Sequence, residues 1–472
     1  MARGRGRIVA GIVIVLALAS AGLRLERDDR GPVVRAITLD QQPVGALVDE
    51  RSGRLFVLTA PGSTGAFSNS VSPYGKGRVQ VFDMAGGTRV WVEETGHPCA
   101  IVAAPAGQNG RVFVAAGSPG VVGGAMLMFD AASGRLLHET PTPATLCGGA
   151  PVVDRGRGRV FFAGDDGSLN TFDAGAGLLL YSAQTDADGA AAMAVDERNG
   201  HVFVAPANKG VVEVFAASSG LLLHTIVFGG AQPLLTPIVD PGSGRLLVVD
   251  LAASALSALD ARGYVRLNVA SVVPAPEAWA LDSSPADAHS GGRLLVGGDT
   301  ALSVVDTRTV AVVRTLTLGD HTRRILVDGR TRRAFLLTGD HLGPTGRIPV
   351  VDTRTGRLVT MVNLPGVAAD AALDARRDRL VVAGQDGTVT VLDARTGRLL
   401  YAVDAASANP VALALDAGGG HAYVLHGSGT VSVPDRWPWL PAWLRARLPF
   451  LPRGGASYQN VPAGITVVDD TR

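Results

Sequence analysis

The chain has almost no lysine: Lys76 and Lys209 stand alone, so the 43 basic residues are nearly all arginine, and 42 acidic residues leave a formal net charge of +1. No basic field exists to hold a polyanion, which argues against a nucleic-acid partner. Aromatic residues are scarce at 5%, so any core must be filled mainly by Val, Leu and Ala. Cysteine is limited to Cys99 and Cys147, too few for a disulfide-rich scaffold, and no Cys-x-x-Cys-His is present to attach a c-type haem. Gly-x-Ser-x-Gly, the Walker loop and His-Glu-x-x-His are also missing. No cofactor and no metal is therefore expected, and no catalytic residue can be named. An enzyme is not excluded, because a site assembled from separate repeats leaves no fixed spacing along the chain.

Glycine is plentiful, at 60 residues, and it punctuates a repeat. Nine times from Val44 onward an apolar stretch ends in a turn, and a second strand follows, starting at Arg54, Arg111, Arg159, His201, Arg245, Arg293, Arg333, Arg379 and His421. A third strand closes on Asp83, Asp130, Asp173, Asp260, Asp306, Asp352, Asp393 and Asp469, with Ala216 in the fourth unit. Self-similarity at about 40 to 50 residues, in units that cannot bury their apolar faces alone, predicts an all-β propeller of four-stranded blades. Nine repeats predict nine blades, with seven or eight as the alternative if an irregular unit fails to form one. Asp166-Gly167 and Asp386-Gly387 sit between apolar runs as hairpin turns. The aspartates before the Gly-Arg turns are expected to cap those turns. The last unit lacks a fourth strand, while Val33 to Leu39 precedes the first unit unpaired, so the N-terminal strand is expected to complete the last blade and close the ring.

These repeats resemble the YVTN-type β-propeller repeat family, in His201 to Asn208, in Val351-Asp352-Thr353-Arg354-Thr355-Gly356 and in Leu392-Asp393-Ala394-Arg395-Thr396-Gly397. The resemblance covers residues 33 to 472 and carries architecture. It implies binding proteins, lactonases or cofactor-dependent dehydrogenases alike, so it leaves function open.

Residues 1 to 32 read as a leader. Arg3, Arg5 and Arg7 precede an apolar run from Ile8 to Leu23, expected to form one N-terminal hydrophobic helix, either a cleaved signal peptide or an uncleaved anchor. Both place the propeller outside the cytoplasm, extracellular, periplasmic or on the outer face of the cytoplasmic membrane. In such a compartment Cys99 and Cys147, each twelve residues before the second strand of its own unit, are candidates for a disulfide between blades two and three. Two buried thiols, or a metal site with His97, are the alternatives. The histidines are scattered. His97, His321, His341 and His426 fall near strand ends, and Asp320 and Asp340 beside two of them are the carboxylates best placed for catalysis, although Gly-Asp-His is an ordinary turn.

Departures from the repeat are the sharpest functional signal. In the ninth unit the link between second and third strands swells to 427–464 and carries Trp437, Trp439, Trp443, Leu444, Arg445, Arg447 and Phe450. Pro441 can start a short helix there and Pro449 end it. The first unit has a shorter insertion in the same link, with Phe67, Asn69, Tyr74 and Lys76, and the second unit adds Ser118 to Gly124. Ring closure makes blades nine, one and two neighbours, so the three insertions should share one face. Aromatic and arginine-bearing, the largest has the composition of an interface anchor. A lid on its own blade and a membrane-interface element are the alternatives. The expectation is a binding or scaffold module for another extracytoplasmic or membrane protein. A propeller enzyme acting on a small molecule, lactonase-like or cofactor-dependent, is the rival, and a self-assembling envelope protein a third possibility.

Overall fold

The computed structural model describes residues 33–62, 75–104, 110–117, 123–187, 189, 191–229, 234–283, 292–339, 346–405, 410–433 and 457–469. The hydrophobic leader, much of the three insertions, His341 and Asp340 lie outside them.

Each repeat folds as the sequence predicts. In blade eight the strands are Ala368–Asp374, Arg379–Gly384, Thr388–Asp393 and Leu399–Asp404, hydrogen-bonded in that order from the axis outward. Nine such four-stranded antiparallel sheets follow one another round the ring. The closing strand Val33–Thr38 pairs antiparallel with Gly464–Asp469 as the fourth strand of blade nine, with Thr38 opposite Gly464. Among the described residues every element is a strand or a turn, and no helix is long and apolar enough to cross a membrane.

Burial explains the strand patterns. The second and third strands are covered on both faces by adjacent blades, so Arg54–Ala60 and Gly77–Asp83 read as near-continuous apolar runs. The fourth strand is half solvated and alternates, as in Arg89–Thr95. Nine separate apolar clusters fill the nine interfaces between blades. One example is Phe56, Val81, Val114 and Phe129 between blades one and two. The ring closes on Leu55, Val57 and Phe82 of blade one, which pack against Tyr423, Leu425 and Ile465 of blade nine.

The two faces differ. On one, each inner strand turns into its second strand and each third strand into its fourth. Here the aspartates cap turns: Asp374 accepts from the amides of Arg376 and Arg377 at 2.9 and 3.0 Å, and Asp416 from those of Gly418 and Gly419 at 3.0 and 2.8 Å. Asp240 and Asp282 also reach the neighbouring blade, accepting from Thr307 Oγ1 at 2.6 Å and Thr353 Oγ1 at 2.5 Å. At several seams a turn arginine then donates to the next blade, Arg157 to the Glu197 carbonyl at 2.7 Å and Arg198 to that of Pro241 at 3.0 Å. This aspartate face is where the closing strand begins, since Val33 lies opposite Val468. The other face carries the links between second and third strands, and therefore all three insertions.

Candidate interaction surface at blades nine, one and two

The residues that flank the insertions are ordered by short-range polar contacts. In blade one the second strand ends at Ala60 and the third begins at Gly77. Gln41 closes the gap: its Nε2 donates to the Lys76 carbonyl at 3.0 Å and its Oε1 accepts from Thr59 Oγ1 at 3.2 Å. Gln42, which starts the inner strand of blade one, reaches the stem of the blade-nine insertion. It donates to Ser428 Oγ at 2.5 Å and accepts from the Ser428 amide at 2.9 Å. That stem continues as a two-stranded ladder, Gly429–Val433 against Ser457–Val461. The bases of the largest and second insertions are thus tied together on one face, and the link from Gly117 to Gly124 in blade two opens on the same face.

Trp437, Trp439, Trp443, Leu444, Arg445, Arg447 and Phe450, with Phe67 and Tyr74, lie outside the described residues; the structure locates the stems that present them. Beneath the blade-nine stem His426 is buried, with its Nε2 3.4 Å from Thr466 Oγ1. Burial holds its imidazole below the usual range, partly offset by a hydrogen bond with the Gly427 backbone. Gly464, beside it, has no room for a side chain: a Cβ would stand 2.7 Å from the Ile37 carbonyl.

Cys99 and Cys147 are joined, with Cα atoms 5.8 Å apart, so blades two and three share a covalent link at the axis. Local geometry makes this possible. The pairing of the inner strand His97–Ala104 slips by one residue between Pro98 and Ala100, which leaves Cys99 as the extra residue of a bulge and exposes it. The same slip occurs in the inner strands of blades one, seven, eight and nine, at Val44, Arg323, Ala369 and Val411. His97 opens the bulged strand of blade two, and burial pushes its imidazole down as well.

A second polar group on the insertion face joins blades six and seven. His321 Nε2 lies 2.7 Å from Glu277 Oε2, and its Nδ1 lies 3.3 Å from Asp299 Oδ1. These three form the one cluster of histidine and carboxylate groups close enough to share a metal ion among the described residues. Each ring nitrogen faces one carboxylate of blade six, so the group bridges blades six and seven. Asp320, which sequence reasoning paired with His321, instead binds Arg347 at 2.8 Å. Glu277 and Asp299 escaped notice because they are distant in sequence. Their signal is positional: each immediately precedes or links strands on the insertion face.

Comparison with known proteins bears on the family and the fold. The chain matches a family described as outer membrane protein assembly factor BamB (PQQ_2) over residues 75–221, 128–332 and 344–436, together more than half of its length. Among solved structures it is similar to the computationally designed Ika8 protein, at 17% identity over 70% of this chain and 94% of that one, with a TM-score of 0.50. BamB from Moraxella catarrhalis aligns at 13% identity over 70% of this chain and 96% of that one, with a TM-score of 0.48. No curated protein matches the chain. The β-propeller repeat expected from the sequence is present, but the family model that matches is this one, related to and different from the YVTN-type family that the repeats resemble. By that match the chain belongs to the outer membrane protein assembly factor BamB family of β-propellers.

Proposed function

We propose that this propeller is an extracytoplasmic scaffold that docks another envelope protein through the insertions of blades nine, one and two. The observation that carries the reading is the tie between Gln42 and Ser428, which brings the stems of two insertions together on one face. An insertion rich in Trp, Arg and Leu beside such a tie has the composition of a hot-spot cluster, in which a few aromatic and arginine anchors supply most of the binding energy. Family membership supports the same class of function, since its description concerns assembly of outer membrane proteins, and it supports a location outside the cytoplasm. The leader would export the chain, as a cleaved signal or as an anchor. Because the closing strand starts on the aspartate face, an anchor would hold that face toward the bilayer and present the insertions away from it.

The test is affinity capture from detergent-solubilised cells, with the wild type and, in parallel, with a folded variant lacking residues 437–453. Partner retention by the wild type alone supports docking through the insertion. Identical captures contradict it. A propeller enzyme is the second reading, favoured by the His321, Glu277 and Asp299 cluster; it requires turnover of a small substrate that survives the same deletion.

A further inference from the structure

At the seam between blades six and seven, side chains from three separate stretches of chain converge. Glu277 immediately precedes the inner strand of blade six, Ala278–Asp282, and Asp299 sits in the hairpin between that blade's second and third strands, Arg293–Gly297 and Ala301–Asp306. His321 immediately precedes the inner strand of blade seven, Thr322–Asp328. Backbone hydrogen bonds gather these stretches on a pair of glycines. The Glu277 amide donates to the Gly297 carbonyl at 2.9 Å, the Thr322 amide to the Gly298 carbonyl at 3.1 Å, and the Gly298 amide to the Ala301 carbonyl at 3.0 Å, which closes the hairpin that carries Asp299. Neither glycine has room for a side chain: a Cβ on Gly297 would stand 2.6 Å from Thr322 Cγ2, and one on Gly298 2.2 Å from the Pro274 carbonyl. Held in this way, Glu277, Asp299 and His321 each offer a ligand atom within 4.8 Å of the other two.

Charge and hydrogen bonding both leave something open there. Two carboxylates face one imidazole, and among the described residues neither Glu277 nor Asp299 pairs with an arginine or lysine. Arg347 is engaged with Asp320, at 2.8 Å. The trio is therefore net negative whether the imidazole is neutral or protonated. Thr322, the residue after His321, supplies an independent observation. It is fully buried, and its Oγ1 has no hydrogen-bond partner among the described residues, a state that is costly for a covered hydroxyl. Its side chain packs on Gly297, the glycine that holds Glu277. An open buried hydroxyl thus lies in the same layer as three converging ligands.

We propose that Glu277, Asp299 and His321 bind a divalent transition-metal ion of the Zn²⁺ class, which bridges blades six and seven. Bonds of about 2.0–2.2 Å from such an ion to imidazole nitrogen and carboxylate oxygen set the donors roughly 3–4 Å apart around it, a spacing these side chains reach by rotation while their backbones stay in place. The imidazole decides the class of ion, since Ca²⁺ and Mg²⁺ favour sets made of oxygen alone. One ring nitrogen binds the ion in its neutral form, so any proton it carried is released, and the ion offsets the charge of the two carboxylates. Three protein ligands leave a position for water, which gives the open Thr322 hydroxyl a polar neighbour. The site lies at a different seam from the insertions of blades nine, one and two, so it does not depend on the docking reading, and it stands whether or not the ion takes part in a reaction.

The test is calorimetric titration of the untagged full chain in detergent, stripped beforehand with a chelator, using Zn²⁺ and, separately, Ca²⁺. The variants are Glu277→Gln, Asp299→Asn and His321→Gln, and thermal melts without metal establish that each folds; if His321→Gln does not, the two carboxylate variants decide the question. Zn²⁺ is expected to bind with an affinity that falls by about tenfold or more in each variant, and Ca²⁺ to bind far more weakly than Zn²⁺. Zn²⁺ should also raise the melting temperature of the wild type and leave that of the double variant Glu277→Gln/Asp299→Asn unmoved. Absence of Zn²⁺ binding at millimolar concentration would reduce the trio to an ion pair between blades and overturn the site. Equal affinity for Ca²⁺, or a Zn²⁺ affinity unchanged by the substitutions, would overturn it as well.

Discussion

Aspartate does more structural work here than any other polar residue. Asp374 is fully buried, and it is tolerated there because two turn amides and Arg377 satisfy it. Asp374→Ala leaves those amides without their acceptor and should lower unfolding free energy by about 1–3 kcal/mol, read as a lower urea midpoint. Asp130, Asp352 and Asp393 show the electrostatic side of the same design. Burial alone would raise these carboxyls, but hydrogen bonds from Ser133, Thr355 and Thr396, with a nearby arginine in each case, bring them below the usual 3.8. Asp173 is lowered chiefly by the Ala176 amide. A carboxyl lowered by folding stabilises above its unfolded value, and that contribution is lost as pH falls through the lower folded value. The protein should therefore lose stability steeply below about pH 4, and replacing these four by Asn should flatten that part of the curve. His426 acts in a higher window. Its folded value lies below 6.5, so the unfolded chain binds the proton more readily, and stability declines as pH drops from 6.5 through the folded value. In His426→Gln that decline should shrink in a series of thermal melts between pH 5 and 8.

At the scale of elements, register was the most legible feature. Every predicted start of a second strand and every predicted end of a third strand falls at a strand boundary, because apolar runs, Asp-Gly turns and terminal aspartates are all local. Gly167 and Gly387 take φ of 80° and 84° in the turns assigned to them. Site geometry was far less legible. His321 meets Glu277 and Asp299 through the packing of blade six against blade seven, which spacing along the chain does not encode. Equal distance from the second strand suggested that Cys99 and Cys147 sit alike, yet Cys99 lies within its inner strand on a bulge and Cys147 precedes the strand Val152–Asp154. The link between them closes a loop with sequence separation 48. Its loss in Cys99→Ser/Cys147→Ser should cost about 2–5 kcal/mol, and non-reducing peptide mapping of the wild type should yield the joined pair; separate free-thiol peptides would contradict it.

Nine blades are held as one ring by nine apolar interfaces and one shared blade. Because the closing strand Val33–Thr38 completes blade nine, deleting it would expose Gly464–Asp469 as a bare edge and open the interface around Tyr423. The truncated protein should aggregate or melt well below the full chain in differential scanning calorimetry. Closure also sets the functional layout, since it places the first and last repeats side by side and lets Gln42 bind Ser428. The central claim is that the insertions so gathered dock a protein partner outside the cytoplasm. Parallel affinity capture with the wild type and with the variant lacking residues 437–453 tests it most directly: a partner held by the wild type and lost from the folded variant is the predicted result, and the same set of captured proteins from both would contradict it.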